Sequence, residues 1–121
     1  MATVTPTQTY PENATQQDLV MFTWATLTNT NNTGVAIEFG HFADRSAIAR
    51  GTFGSGDAVI IEGSHDGTNF YTLTDAFGNA LSMTSAGIKQ ITELVAYLRP
   101  RVSGSSGGSN ITVTLLTRRH P

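Results

Sequence analysis

The chain has 121 residues, which fits one domain and is long enough to bury a core without covalent staples. Apolar residues make up 39% and charged residues only 13%, roughly half the usual charged share, so much of the surface is neutral Thr, Ser, Asn and Gly. Cysteine is absent, which excludes disulfides, thiolate zinc sites and a cysteine nucleophile; no apolar run approaches the roughly 18 residues of a membrane helix, and Met1 to Thr15 lack the basic and apolar regions of a cleaved signal peptide.

The formal net charge of -2 hides an asymmetry. All nine acids lie at or before Glu93, whereas Arg99, Arg101, Arg118, Arg119 and His120 follow it. Such segregation marks either a solvated basic end or a contact with an acidic partner. Four arginines are a small footprint and the pI is 5.8, so nucleic acid is not the predicted partner.

Met1 to Gln17 is polar, with Pro6 and Pro11, and reads as an extended arm carrying a short edge strand at Thr3 to Thr9. Such an arm is either a loose terminus or a segment that reaches a neighbouring subunit. Residues 18–121 read as one β domain. Asp18 to Leu27 is the first strand, with Val20, Phe22, Trp24 and Thr26 on one face and Leu19, Met21, Thr23, Ala25 and Leu27 on the other. Both faces are mostly apolar or small, so the strand is central or covered on both sides. Trp24, the sole tryptophan, is read as a core anchor in preference to a stacking platform for a ligand.

Thr28 to Gly34 is a turn by composition, and Val35, Ile37 and Phe39 alternate as a second, half-buried strand. His41 to Arg45 reads as a loop and Ser46 to Phe53 as a third strand interrupted by Gly51. Gly54 to Asp57 is a turn. Ala58 to Glu62 is a buried strand, His65 to Asn69 a tight turn built on Asp66-Gly67, and Phe70 to Asp75 the returning strand.

Asp75 to Asn79 is a further turn and Leu81 to Met83 a short strand. Thr84 to Ile91 reads as a single helical turn with Ile88 and Ile91 pointing inward. Leu94 to Val102 is a strand in which Arg99 and Arg101 share a face, and Pro100 places it at an edge or at a break. Ser103 to Asn110 is the most flexible stretch by composition, and Ile111 to Leu116 is the last strand. About eight short strands, turns every 8–12 residues and at most one helical turn define an all-β chain, an antiparallel β-sandwich of jelly-roll type.

No pattern of chemistry stands out. His41, His65 and His120 are isolated from one another, so no metal site is predicted. Asp57, Glu62, Asp66 and Asp75 are read as turn chemistry in preference to calcium ligands. Ser64-His65-Asp66 holds the three residue types of a hydrolase triad, but adjacent residues cannot adopt triad geometry. No cofactor is predicted and the expectation is that the chain is not an enzyme. Asn13, Asn31 and Asn110 fit a glycosylation pattern that a chain so rich in Asn and Thr meets by chance.

From Gly51 to Arg119, the run GTFGSGDAVIIEGSHDGTNFYTLTD, then GNALSMTSAGI, YLRPRVSG, a Gly/Ser loop and ITVTLLTRR resembles small structural proteins of tailed bacteriophages. The nearest kind is a capsid decoration, or cement, protein with a jelly-roll fold. The resemblance implies a protein made in the host cytoplasm that sits on the capsid exterior and binds the major capsid protein. It also implies a homo-oligomer, a trimer before a dimer. The contacts expected on this view are Thr3, Thr5, Thr7, Thr9 and Tyr10 in the arm, with Arg99, Arg101, Arg118 and Arg119. The element S-x-D-G-x-N-F-x-x-L also resembles discoidin-like sandwich domains. This implies an alternative, a carbohydrate-binding module of a tail fibre or baseplate that uses Tyr71 and Phe77, with Tyr97 and Trp24 as further aromatic candidates.

Overall fold

The structure, a computed structural model, describes residues 3–10, 19–38, 44–75 and 77–118. Among these residues there are eleven strands and no helix: β1 (Thr3–Val4), β2 (Thr7–Thr9), β3 (Leu19–Thr28), β4 (Thr33–Gly34), β5 (Asp44–Thr52), β6 (Ala58–Ser64), β7 (Tyr71–Thr72), β8 (Ser82–Met83), β9 (Gly87–Ile91), β10 (Tyr97–Ser103) and β11 (Asn110–Arg118). They form a β-sandwich. One sheet runs β1-β4-β10-β6-β7 with β8 also on β6, and the other runs β2-β3-β11-β5-β9. All pairings are antiparallel except that of β1 with β4, which is parallel.

Alternation in the long strands builds the core. Val20, Phe22 and Trp24 of β3, Ala47 and Ala49 of β5, Val59 and Ile61 of β6, Leu98 and Val102 of β10, and Ile111, Val113 and Leu115 of β11 all point between the sheets. The arm contributes to both layers. β1 extends one sheet through β4, and β2 extends the other through β3, so Thr5 and Pro6 step from sheet to sheet.

The phase of β3 differs from strict alternation. Leu27 is fully buried although it is odd-numbered from Trp24, because a bulge sets Ala25 and Thr26 opposite Thr112 alone. Thr26 therefore does not continue the Trp24 face.

Three further expectations are corrected. Thr84 to Ile91 is not a helical turn: Gly87 to Ile91 pairs with β5, Ile91 is buried and Ile88 is 63% exposed. Gly87 and two β-branched isoleucines favour the strand. Pro100 lies inside β10, flanked by β6 and β4. Its neighbours on the β4 side, Leu98 and Val102, donate to the Ile37 and Asn32 carbonyls. The missing N–H of Pro100 thus faces a partner strand only two residues long, where a proline costs little. The predicted second strand is reduced to a single bridge from Ile37 to Leu98, with Val35 exposed, while the two residues of β4 fall at the end of the predicted turn; Phe39 and the loop residues His41 to Ala43 lie outside the described residues.

The Gly/Ser stretch after β10 is held in place. Asp57, which ends a Gly54–Asp57 turn, accepts hydrogen bonds from the hydroxyls of Ser106 and Ser109 and from the Asn29 side-chain amide. Asn29 also donates to the Gly104 carbonyl and accepts from the Ser109 amide. One buried carboxylate ties three turns together at this end of the sandwich.

Candidate functional site

The outer face of the six-stranded sheet carries the best-organised charged group. Arg99 pairs in register with Glu62, and Arg101 with Ile60. Since Ile61, Leu98 and Val102 point into the core, Glu62, Arg99 and Arg101 all point outward. Glu62 is nearly buried beneath the two arginines. Its Oε1 accepts from Arg99 Nε at 2.9 Å and its Oε2 from Arg101 Nε at 3.0 Å. Arg99 also stacks on Phe70, with its guanidinium carbon 3.8 Å from the ring centroid.

The arrangement has a chemical consequence. One carboxylate shared by two guanidinium groups leaves about one positive charge on the face. Both arginines reach Glu62 through Nε, so, among the described residues, the Nη ends of two fixed, partly exposed forks remain for an incoming oxyanion. Carboxylate is the group such paired forks bind best in a protein partner.

The residues expected to touch a partner divide between the two sheets. Thr3 lies in register with Thr33, which lies in register with Arg101, so Thr3, Arg99 and Arg101 share the six-stranded face. Thr7 and Thr9 are opposite Thr23 and Met21 on the five-stranded sheet, and Arg118 stands on that sheet's outer face, paired with Asp44. Thr5 lies between the two arm strands, and Tyr10 accepts a hydrogen bond from Gln8 through its hydroxyl. Arg119 is outside the described residues.

Sequence reasoning missed Glu62 and Phe70 as parts of this group. The only signal available was the i, i+2 spacing of Arg99 and Arg101, because the pairing of β6 with β10 is a long-range fact.

The remaining carboxylates do separate jobs. Asp66 Oδ1 accepts from the Thr68 and Asn69 amides and from the Ser64 hydroxyl, and Oδ2 accepts from the Asn69 side chain. The Asn69 and Thr68 amides foremost hold its carboxyl well below the ordinary aspartate range. Asp75 caps its own turn through the Asn79 and Phe77 amides, which lower its pKa, and pairs with Lys89 at 3.3 Å. Asp57 is drawn down to about 2, chiefly by Ser106, then Ser109 and Asn29. Among the described residues no three potential ligands come together for a metal.

A groove of about 410 Å³ runs along the β7 edge, lined by His65, Asn69, Tyr71, Glu93 and Leu94 among others. Tyr71 is 72% exposed there, and Phe77 is 90% exposed on the next turn, whereas Trp24 is buried and presents no face to a ligand. Arg45 is buried, donates through Nη2 to the Glu93 carbonyl, and among the described residues has no partner for Nε or Nη1.

These features belong to a two-sheet β-sandwich whose faces, more than any cleft, carry the organised side chains. Among solved structures, the chain is similar to the SPBc2 prophage-derived protein YomS, at 12% identity over 87% of this chain and 98% of that chain, with a TM-score of 0.59. At that identity the likeness establishes a shared fold. No family model and no curated protein matches the chain.

Proposed function

We propose that this chain is a structural protein of a bacteriophage particle, and that it decorates and stabilises the capsid by binding the major capsid protein. The observation that carries this reading is the fold it shares with a prophage-derived protein across nearly that protein's whole length. The likeness of Gly51 to Arg119 to phage cement proteins supports it, and so does the arginine pair on an exposed sheet face. On this reading Arg99 and Arg101 grip acidic groups of the capsid, with Thr3 beside them, and no catalytic step is involved. Binding only the assembled shell stabilises it by mass action.

The test is cosedimentation with shells of the source virus that lack this protein. Saturable binding is expected. The double variant Arg99→Lys/Arg101→Lys keeps both charges beside Glu62 but removes the forks, and is expected to bind shells about tenfold more weakly while melting normally. A folded protein that does not cosediment would overturn the reading.

One observation favours a second reading, a carbohydrate-binding module: the groove at β7 sets an exposed Tyr71 beside polar His65, Asn69 and Glu93. Glycan binding that disappears in Tyr71→Ala would establish it.

A further inference from the structure

The groove at the β7 edge is built where three segments meet at the end of β6. Tyr71 of β7 lies in register with Gly63 on one side. On the other side Tyr97 lies in register with Ser64, and the Ala96 amide donates to the Ser64 carbonyl. The strands that carry the two walls are therefore about 10 Å apart, with β6 between them. Position 63 has no room for a side chain: a methyl at its Cα would stand 2.8 Å from Val95 Cγ1 and 2.9 Å from Leu73 Cδ2. The floor is thus closely packed, while Tyr71 and Leu94 stand exposed beside it. A volume of about 410 Å³ falls within the range of small-molecule sites.

The groove has one sign of charge. Among the described residues that line it, Asp66 and Glu93 are acidic and none is lysine or arginine; His65 is the only other titratable group besides the tyrosine. Arg45 donates to the Glu93 carbonyl but is buried and does not line the groove. Arg99 is held on the outer face by Glu62 and Phe70, and Lys89 by Asp75. The polar groups left over are acceptors. Glu93 uses Oε1 for the Thr74 amide, which leaves Oε2 among the described residues, and Asn69 spends its side-chain N–H on Asp66, which leaves its carbonyl oxygen. The ring face of Tyr71 carries the negative lobe of the aromatic quadrupole.

We propose, resting on the carbohydrate reading, that this groove takes a neutral or amine-bearing saccharide ring and rejects an acidic one. The C–H face of the sugar lies on Tyr71, and its hydroxyl or ammonium hydrogens meet Glu93 and Asn69. An ammonium gains from both the carboxylate and the ring face. A carboxylate, sulfate or phosphate on the sugar would meet two like charges, acceptors where it needs donors, and no arginine or lysine to pair with.

Saturation-transfer NMR on the full chain tests this, with matched methyl glycosides as probes: the neutral hexose, its amino form and its uronate, in the gluco, galacto and manno series. In at least one series the neutral and amino members are expected to bind, and the uronate about tenfold more weakly at low salt. That gap should shrink as salt rises, because it comes from exposed charges. Tyr71→Ala should abolish binding. Glu93→Gln keeps an acceptor for the Thr74 amide and removes the charge, so it should narrow the gap between the neutral sugar and the uronate. Circular dichroism establishes that each variant is folded. Uronates that bind as well as the neutral sugars, or binding that survives Tyr71→Ala, would overturn the inference and leave a carbohydrate-binding protein of another design. No binding in any series would overturn both the inference and the carbohydrate reading.

Discussion

Asp57→Ala is expected to lower the Tm by roughly 10 °C and to open the Gly104–Asn110 loop to proteolysis. Asp57 is 2% exposed and is the common acceptor for Ser106, Ser109 and Asn29. Its removal leaves those donors facing an apolar methyl, Ser109 among them inside the fold. It also detaches the 103–110 loop from the Gly54–Asp57 turn and from the end of β3. Asp57→Asn keeps the shape and one acceptor oxygen and should fall between the two. Limited proteolysis reads the loop directly: cutting confined to 104–110 in the variant, and absent from the parent, is the expected pattern. An unchanged melt and unchanged cutting would mean that backbone geometry alone fixes the loop.

The same carboxylate sets a pH dependence. Asp57 titrates at about 2 in the folded chain against an ordinary value of 3.8, and Asp66 and Asp75 are lowered as well. Between those values the unfolded chain binds more protons than the folded one, so stability rises with pH through that window. The contribution is complete above about pH 4 and is lost as pH falls through about 2. Thermal melts should therefore be flat from pH 7 to about 5 and decline below 4, with a shallower decline in Asp57→Asn. A melt independent of pH down to 2 would contradict the assigned hydrogen bonds.

Long strands were legible in the sequence because each carries its own period. β3, β6 and β11 announce themselves through alternating apolar residues, and the β6–β7 hairpin through Asp66-Gly67. What was not legible depends on partners far away in the chain. Ile88 and Ile91 fit a helical spacing as well as a strand's, and only the presence of β5 decides between them. The Gly/Ser composition of 103–110 signals freedom, yet a single aspartate some fifty residues earlier removes it. The candidate site follows the same rule. Arg99 and Arg101 were visible as basic residues on one face, but Glu62, which orients them, becomes their neighbour only when β6 lies beside β10. Pro100 argued for an edge on local grounds, and the shortness of β4 is what admits it to the interior of the sheet.

That last accommodation leads to the other large effect expected. Gly34 sits in β4 directly over the indole of Trp24 and the ring of Pro100: a methyl at its Cα would stand 2.6 Å from Trp24 Cδ1 and 2.7 Å from Pro100 Cδ. Neither ring is a flexible chain end, and Trp24 is 1% exposed, tilted against Phe22 at 6.5 Å, and fixed by its Nε1 donating to the Val35 carbonyl at 3.0 Å. Gly34→Ala should therefore destabilise by about 2–3 kcal/mol through overpacking. Trp24→Ala should cost about 4 kcal/mol through the cavity it leaves. It also removes the Cδ1 and Nε1 that crowd position 34, which Trp24→Phe would do only in part because Phe keeps a ring carbon at Cδ1. If the clash with the indole is what makes Gly34→Ala expensive, adding that change to Trp24→Ala should cost less than it does alone, with a coupling of about 1 kcal/mol in a denaturant cycle. Strict additivity would assign the cost to the Pro100 ring, whose Cδ a Cβ at position 34 would also crowd.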